Sequence, residues 1–229
     1  MLEGEPTIKE MTESATNFMI RSVRAFPHQV SILALGPLTN IALAAKLDGD
    51  FPLLTKELVV MGGSFDPRPV ATEFANEYAH NPRLEFNFRW DPEAARIVLH
   101  APWSKIVQVP VDPTTKTQFT LAHLKEIATG KTPLTQYIEK YAEVGYPMWD
   151  ELAVGVWLNP ALVTKSAEAR VDVDTSFTAG YGNTLSWAIN AGPGLGERPV
   201  SIVYDIDAAK FEALFVELMK KPTPKAPSS

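Results

Sequence analysis

The sequence predicts an α/β protein built on a mostly parallel, Rossmann-like sheet flanked by helices. Three observations carry that prediction. Short, mostly apolar runs at Val30–Leu35, Glu57–Met61 and Ile106–Val111 read as strands of a buried parallel sheet. Gly36-Pro37 and Gly62-Gly63 close the first two. Helical patterns stand between the runs, and such alternation is what covers a parallel sheet with helices.

Taken in order, residues 7–26 form an amphipathic pattern, with Ile8, Met11, Ala15, Phe18, Met19 and Ser22 at helical spacing and Pro27 as its stop. Beyond the first strand, Thr39 is placed to cap a helix through Ile41–Ala45. Residues 64–84 are a polar, proline-containing loop, long enough to be functional or disordered. Glu85-Phe86-Asn87 follow it, and Asp91 caps a helix with Pro92 in its first turn. Helices are expected near 120–129, 133–144 and 149–158.

Three further strands read at Arg170–Phe177, Thr184–Ala188 and Val200–Val203. The glycine-rich stretch Ala191–Gly196 lacks the Lys-Ser/Thr of a phosphate loop and reads as a surface turn. Asp207–Lys220 is an amphipathic helix built on Phe211, Leu214, Phe215 and Leu218. Residues 1–221 are expected to form one domain without repeats, and 222–229 a disordered tail.

Composition narrows the chemistry. A chain of 229 residues with 45% hydrophobic and 21% charged side chains suits one core. The net charge of −6 and the lack of a Lys/Arg cluster argue against nucleic-acid binding. With no cysteine, disulfides, thiolate nucleophiles and cysteine-based metal centres are excluded. The four histidines are His28, His80, His100 and His123; none pairs with another at metal-ligand spacing, and only His80, in the long loop, is placed to join a site. A bound metal would therefore be a hard cation held by oxygens.

No apolar run is long enough to span a bilayer. Met1–Pro6 reads as neither signal peptide nor anchor, which leaves the compartment open: cytoplasmic as written, secreted or periplasmic if a signal preceded it.

Three segments in register give the chain a more specific likeness. They are Leu35-Gly36-Pro37-Leu38-Thr39-Asn40-Ile41-Ala42-Leu43-Ala44; Val59-Val60-Met61-Gly62-Gly63 with Glu85-Phe86-Asn87 and Asp91-Pro92-Glu93-Ala94-Ala95 after it; and Met148-Trp149-Asp150-Glu151-Leu152-Ala153. Together they resemble the C-terminal two-thirds of the inosine–uridine preferring nucleoside hydrolases. The resemblance implies the nucleoside hydrolase fold and hydrolysis of the N-glycosidic bond of a ribonucleoside, with calcium beyond the carboxyl ends of the strands. It gives Asp150 and the backbone carbonyl of Leu35 as calcium ligands. Glu85 and Asn87 would bind ribose hydroxyls, Met61 would pack on the sugar, and Asn81 would add a further sugar contact at a spacing that departs from the family's. Trp149, where many relatives carry histidine, implies stacking on a purine. A small-molecule nucleoside is the implied partner, with a homo-oligomer as the implied assembly.

Each of these residues also has a plainer reading. Asp150 is placed to be a helix N-cap, Trp149 and Met61 to be core packing, and Glu85 and Asn87 to be a solvated loop end.

One departure matters more than the rest. The family opens with a strand ending in an aspartate-rich loop that supplies most calcium ligands and the general base, and these 229 residues contain no such loop. Asp172-Val173-Asp174 and Asp205-Ile206-Asp207 lack its glycine and its paired aspartates. No catalytic residue is therefore assigned. The chain by itself is expected to be inactive, with a half-built calcium site, an unpaired sheet edge and marginal stability. The alternatives are a non-catalytic remnant that keeps a ribose or partner surface, and a half completed by a separate chain.

Overall fold

A computed structural model describes residues 9–66 and 81–222. Ile8, His80 and the middle of the 64–84 segment lie outside the described residues. Six strands form one sheet in the order β1-β2-β3-β6-β4-β5: β1 (Ser31–Ala34), β2 (Glu57–Met61), β3 (Ile106–Val109), β4 (Val163–Val173), β5 (Thr184–Ala188) and β6 (Arg198–Ile206). The first three and β6 run parallel, as expected, while β4 lies antiparallel to both β6 and β5.

The alternation of side chains along β2 explains the layering. Leu58 and Val60 enter one core with Ile32, Ala34, Val98 and Ile202. Val59 and Met61 enter the other with Val109, Leu152, Val156 and Phe211. A strand covered on both faces has no polar side to show, and all five residues of β2 are buried.

On the first face lie α1 (Ala15–Ala25), α2 (Thr39–Leu47), α3 (Phe51–Leu54) and, after the short α4 (Phe86–Trp90), α5 (Pro92–His100). Following β3 come α6 (Val111–Thr114), α7 (Leu121–Ala128) and α8 (Pro133–Tyr141). The second face is covered by α9 (Trp149–Leu158) and α10 (Ala208–Lys220). Those two pack closely: a β-carbon on Gly155 would stand 2.8 Å from the Phe211 ring.

Several boundaries differ from the sequence reading. The first helix starts at Ala15 because Ser14 caps it, its Oγ accepting the N–H of Asn17. Thr39 is no cap; it sits inside α2, which starts after Leu38, and its hydroxyl donates to Asp91. Asp150 is no cap either, since Met148 holds that position and Asp150 lies in the first turn of α9. The third strand stops at Val109, where Pro110 leads into α6. The fourth begins at Val163 rather than Arg170 and ends at Val173, its first half being exposed and without apolar alternation. Strand β1 stands at the sheet's edge with β2 as its only neighbour among the described residues.

Candidate functional site

The site gathers where the sequence places its breaks, at the carboxyl ends of β1, β2 and β3, the position at which open α/β sheets hold ligands. Strand β2 ends at Met61 and turns through Gly62-Gly63. Gly63 has φ +80°, and a β-carbon there would lie 2.2 Å from Gln108 Nε2, so only glycine fits.

The turn after Met61 is held by side chains from three other elements. Glu85 accepts the N–H of Gly63 at 2.9 Å. Thr184 Oγ1 accepts that of Ser64 at 3.0 Å. Asp112 accepts those of Phe65 and Asp66 at 3.1 and 2.6 Å. Four consecutive backbone donors are thereby satisfied, as the buried ones, from Gly63 to Phe65, require. Burial pushes the carboxyl of Asp112 above the usual carboxylate range, against the lowering by the two N–H groups it accepts.

Glu85 and Asn87 do not lie on a solvated loop end. Both are buried, at 2% and 6% exposure. Glu85 caps α4, accepting N–H groups of Asn87 and Phe88 at 2.9 and 3.0 Å. Asn87 Nδ2 donates to the carbonyl of Met61 at 3.0 Å and touches its sulfur at 3.4 Å. Its Oδ1 enters none of the hydrogen bonds among the described residues. Asn81 is half-buried and gives its carbonyl to the N–H of Leu84; its side chain makes no such link to the cluster.

Met61, Leu35 and Trp149 meet in the second core, Trp149 and Leu35 as half-buried side chains against it. Asp150 and Leu35 share a cavity of about 320 Å³ with Glu151, Val154, Phe211 and Phe215. Burial, and then the neighbouring Glu151, raise the carboxyl of Asp150 to about 6. The carboxyl of Glu151 is raised too, by desolvation on its cavity side, although the residue is exposed. Burial is the larger cause at both acids, and the neighbouring charge adds to it only at Asp150.

Six of the seven residues singled out by sequence thus surround the ends of β1 and β2, and Asn81 stands apart. Asp112 and Thr184 were not anticipated. A lone acid after the apolar run Ile106–Val111 is the signal that marks Asp112, since a carboxylate there must be buried.

Among the described residues the donors do not make a calcium site. Asp150, Glu151 and the Leu35 carbonyl are too few oxygens for an ion that takes roughly 6–8. No group of three or more His, Cys, Asp or Glu residues able to hold a metal occurs among the described residues. Nor is any described helix long and apolar enough to cross a membrane.

Likeness to known proteins shows the family and the fold. The sequence profile described as "Inosine-uridine preferring nucleoside hydrolase" matches residues 2–213. Probable uridine nucleosidase 1 of Oryza sativa subsp. japonica is 33% identical over 95% of this chain and 68% of its own length. Probable uridine nucleosidase 2 of the same plant is 30% identical over 93% and 65%. The chain therefore spans about two thirds of the length of the curated relatives it matches.

Among solved structures, a plant nucleoside hydrolase, the PpNRh1 enzyme, superposes with a TM-score of 0.78 at 24% identity, covering 95% of this chain and 71% of that one. A purine-preferring ribonucleoside hydrolase from Gardnerella vaginalis superposes at 0.77 with 22% identity, covering 95% and 68%. These two likenesses establish the shared fold.

Proposed function

Since the chain belongs to the inosine-uridine preferring nucleoside hydrolase family, we propose that its site takes the ribose of a nucleoside, and that the reaction of its lineage is hydrolysis of the N-glycosidic bond to free base and ribose. The observation that carries this is the tie from Asn87 to Met61, which sets a polar amide and an apolar thioether side by side at the end of β2. That pairing suits a sugar, which offers hydroxyls at its edge and carbon at its face. Asn87 Oδ1 accepts from a ribose hydroxyl, Glu85 meets its neighbour as a carboxylate already fixed in place, Met61 packs on the ring, and Asp150 reaches the sugar from α9.

For the 229 residues alone the proposal is binding without turnover. A base must take a proton from water during glycosidic hydrolysis, and the aspartate-rich loop assigned that task by the resemblance is not in this sequence. Calcium belongs to the proposal for the lineage only.

For the base, Trp149 supports a purine: its half-buried side chain packs against the core cluster that holds Met61, and stacking on a purine contributes roughly 1–3 kcal/mol. A pyrimidine reading is favoured by the sequence relatives, which are named uridine nucleosidases.

Saturation-transfer NMR with inosine and uridine, beside an assay for released ribose with calcium present, tests each part. Binding of inosine ahead of uridine with no ribose released is expected. Binding of neither ends the ribose reading, tighter uridine ends the purine reading, and released ribose ends the claim of no turnover.

A further inference from the structure

The glycine-rich stretch before β6 does not act as a phosphate loop, and the structure shows why. Glu197 folds back and accepts the N–H groups of Gly194 and Leu195 at 2.9 and 2.7 Å, so the loop's donors are filled by the chain's own carboxylate. Gly192, Gly194 and Gly196 all have positive φ, and a β-carbon on Gly192 would stand 2.6 Å from Glu197 Oε1. The loop is a shaped wall.

What it walls is a cavity of about 660 Å³, lined by Arg170, Arg198, Asn190 and Glu197 with the loop's glycines. Small-molecule sites span roughly 300–1,000 Å³. Arg198 opens β6 and Arg170 stands on the neighbouring β4, where Arg170 pairs with Pro199. Strand β6 runs parallel to β3, so the cavity lies at the opposite end of the sheet from Met61 and Asn87.

Both guanidiniums are aimed by backbone carbonyls. Arg170 donates to the carbonyls of Ile189 and Glu197 at 2.9 and 2.8 Å, and Arg198 to that of His100 at 2.8 Å. Neither forms an ion pair with a carboxylate among the described residues. Among the described residues Glu197 carries the only carboxylate in the cavity wall; its oxygens accept backbone N–H groups, its own and the loop's, and these bonds, with the nearby Arg170 charge, hold it below the usual carboxylate range. Two arginines against one acid leave the cavity cationic.

A guanidinium presents five N–H donors in a fork that matches a phosphate. Arg170 spends two of its own on carbonyls and Arg198 one. We propose that this cavity is a second ligand site, which takes the phosphate group of a small phosphorylated molecule between Arg170 and Arg198. The space beyond a bare phosphate points to a phosphate ester.

Two-dimensional amide NMR of the full chain, titrated with inorganic phosphate and separately with ribose 5-phosphate, tests it. Saturable shifts confined to residues 190–199 are expected, with ribose 5-phosphate the tighter ligand; inorganic phosphate binding as well would show a free-phosphate site with the same chemistry. Arg198→Ala is expected to weaken binding roughly tenfold or more while the rest of the spectrum is unmoved, with Arg198→Lys in between. Absence of saturation up to ~10 mM of either ligand, or shifts that survive Arg198→Ala unchanged, overturns the proposal. Shifts at Gly62–Asn87 alone would report the ribose site and would equally overturn it.

Discussion

The carboxylate of Asp112, just past β3, accepts the backbone N–H of Asp66, just past β2, at 2.6 Å. This bond fastens the ends of two adjacent parallel strands to one another beside the candidate site. Phe65 adds a second N–H to the same carboxylate.

Replacing Asp112 by alanine leaves the buried N–H of Phe65 without an acceptor, at about 1–3 kcal/mol, and the part-buried N–H of Asp66 without one at less. Asp112→Ala is therefore expected to destabilise by about 3 kcal/mol, and Asp112→Asn, which keeps one acceptor oxygen, by clearly less. Urea unfolding of the two variants checks the order; equal losses would mean that the amide bonds carry none of the effect.

Asn87→Asp tests the sugar site through its second partner. It exchanges the donor facing the Met61 carbonyl for an acceptor, setting oxygen against oxygen in a buried place. A loss of about 1–3 kcal/mol in stability is expected, with inosine binding weakened further than Asn87→Ser weakens it. Calorimetric titration of both variants reads this directly.

Asp150 sets a pH dependence of unusual sign for an acid. Its carboxyl is raised to about 6 in the folded chain, above its value of 3.8 in an open one. The folded state thus holds the proton more tightly, so this group's contribution to stability is fully present below pH 4 and is lost as pH rises through about 6. Discounted for its half-exposed position, the effect is about 1 kcal/mol. Asp150→Asn should raise the melting temperature at pH 7.5 and leave it little changed at pH 4. A variant that melts lower than the parent at pH 7.5 would show the charged form to be the favoured one.

Gly155→Ala sets two effects against each other. Alanine favours a helix interior by about 1 kcal/mol over glycine. Its methyl would meet the buried Phe211 ring at 2.8 Å, and overpacking of that kind costs about 1–3 kcal/mol. Net destabilisation is expected, and Gly155→Ala combined with Phe211→Leu should recover part of it.

How far these features could be read from the residues follows from their physics. Strand β2 was legible because a strand buried on both faces is apolar along its length, here from Leu58 to Met61 after the opening Glu57. The first half of β4 was not, because Thr164–Glu168 face solvent and their order is dictated by pairing with β6. Five residues are too few for a helical period, so α4 was invisible although its cap, Glu85, was singled out as a sugar ligand. Met61, Trp149, Leu35 and Asp150 were found through the family likeness, and the structure brings them together. Thr184 escaped notice because what it binds is backbone, which leaves no pattern in side chains, and for Asp112 the one signal was its place just after an apolar run.

The join between β3 and β6 is two residue pairs long, Val107 with Ser201 and Gln108 with Ile202. On one side of it stand the parallel strands with the Met61 cluster; on the other stands the antiparallel unit with the arginine cavity. A short ladder between residues so distant in the chain is costly to close and easy to part. The sheet is therefore expected to open first along this join, although Ile202 and Val203 carry both cores across it. Slow hydrogen exchange should end at that seam, with the amides of β2 and of the β4–β6 pair outlasting those that cross it.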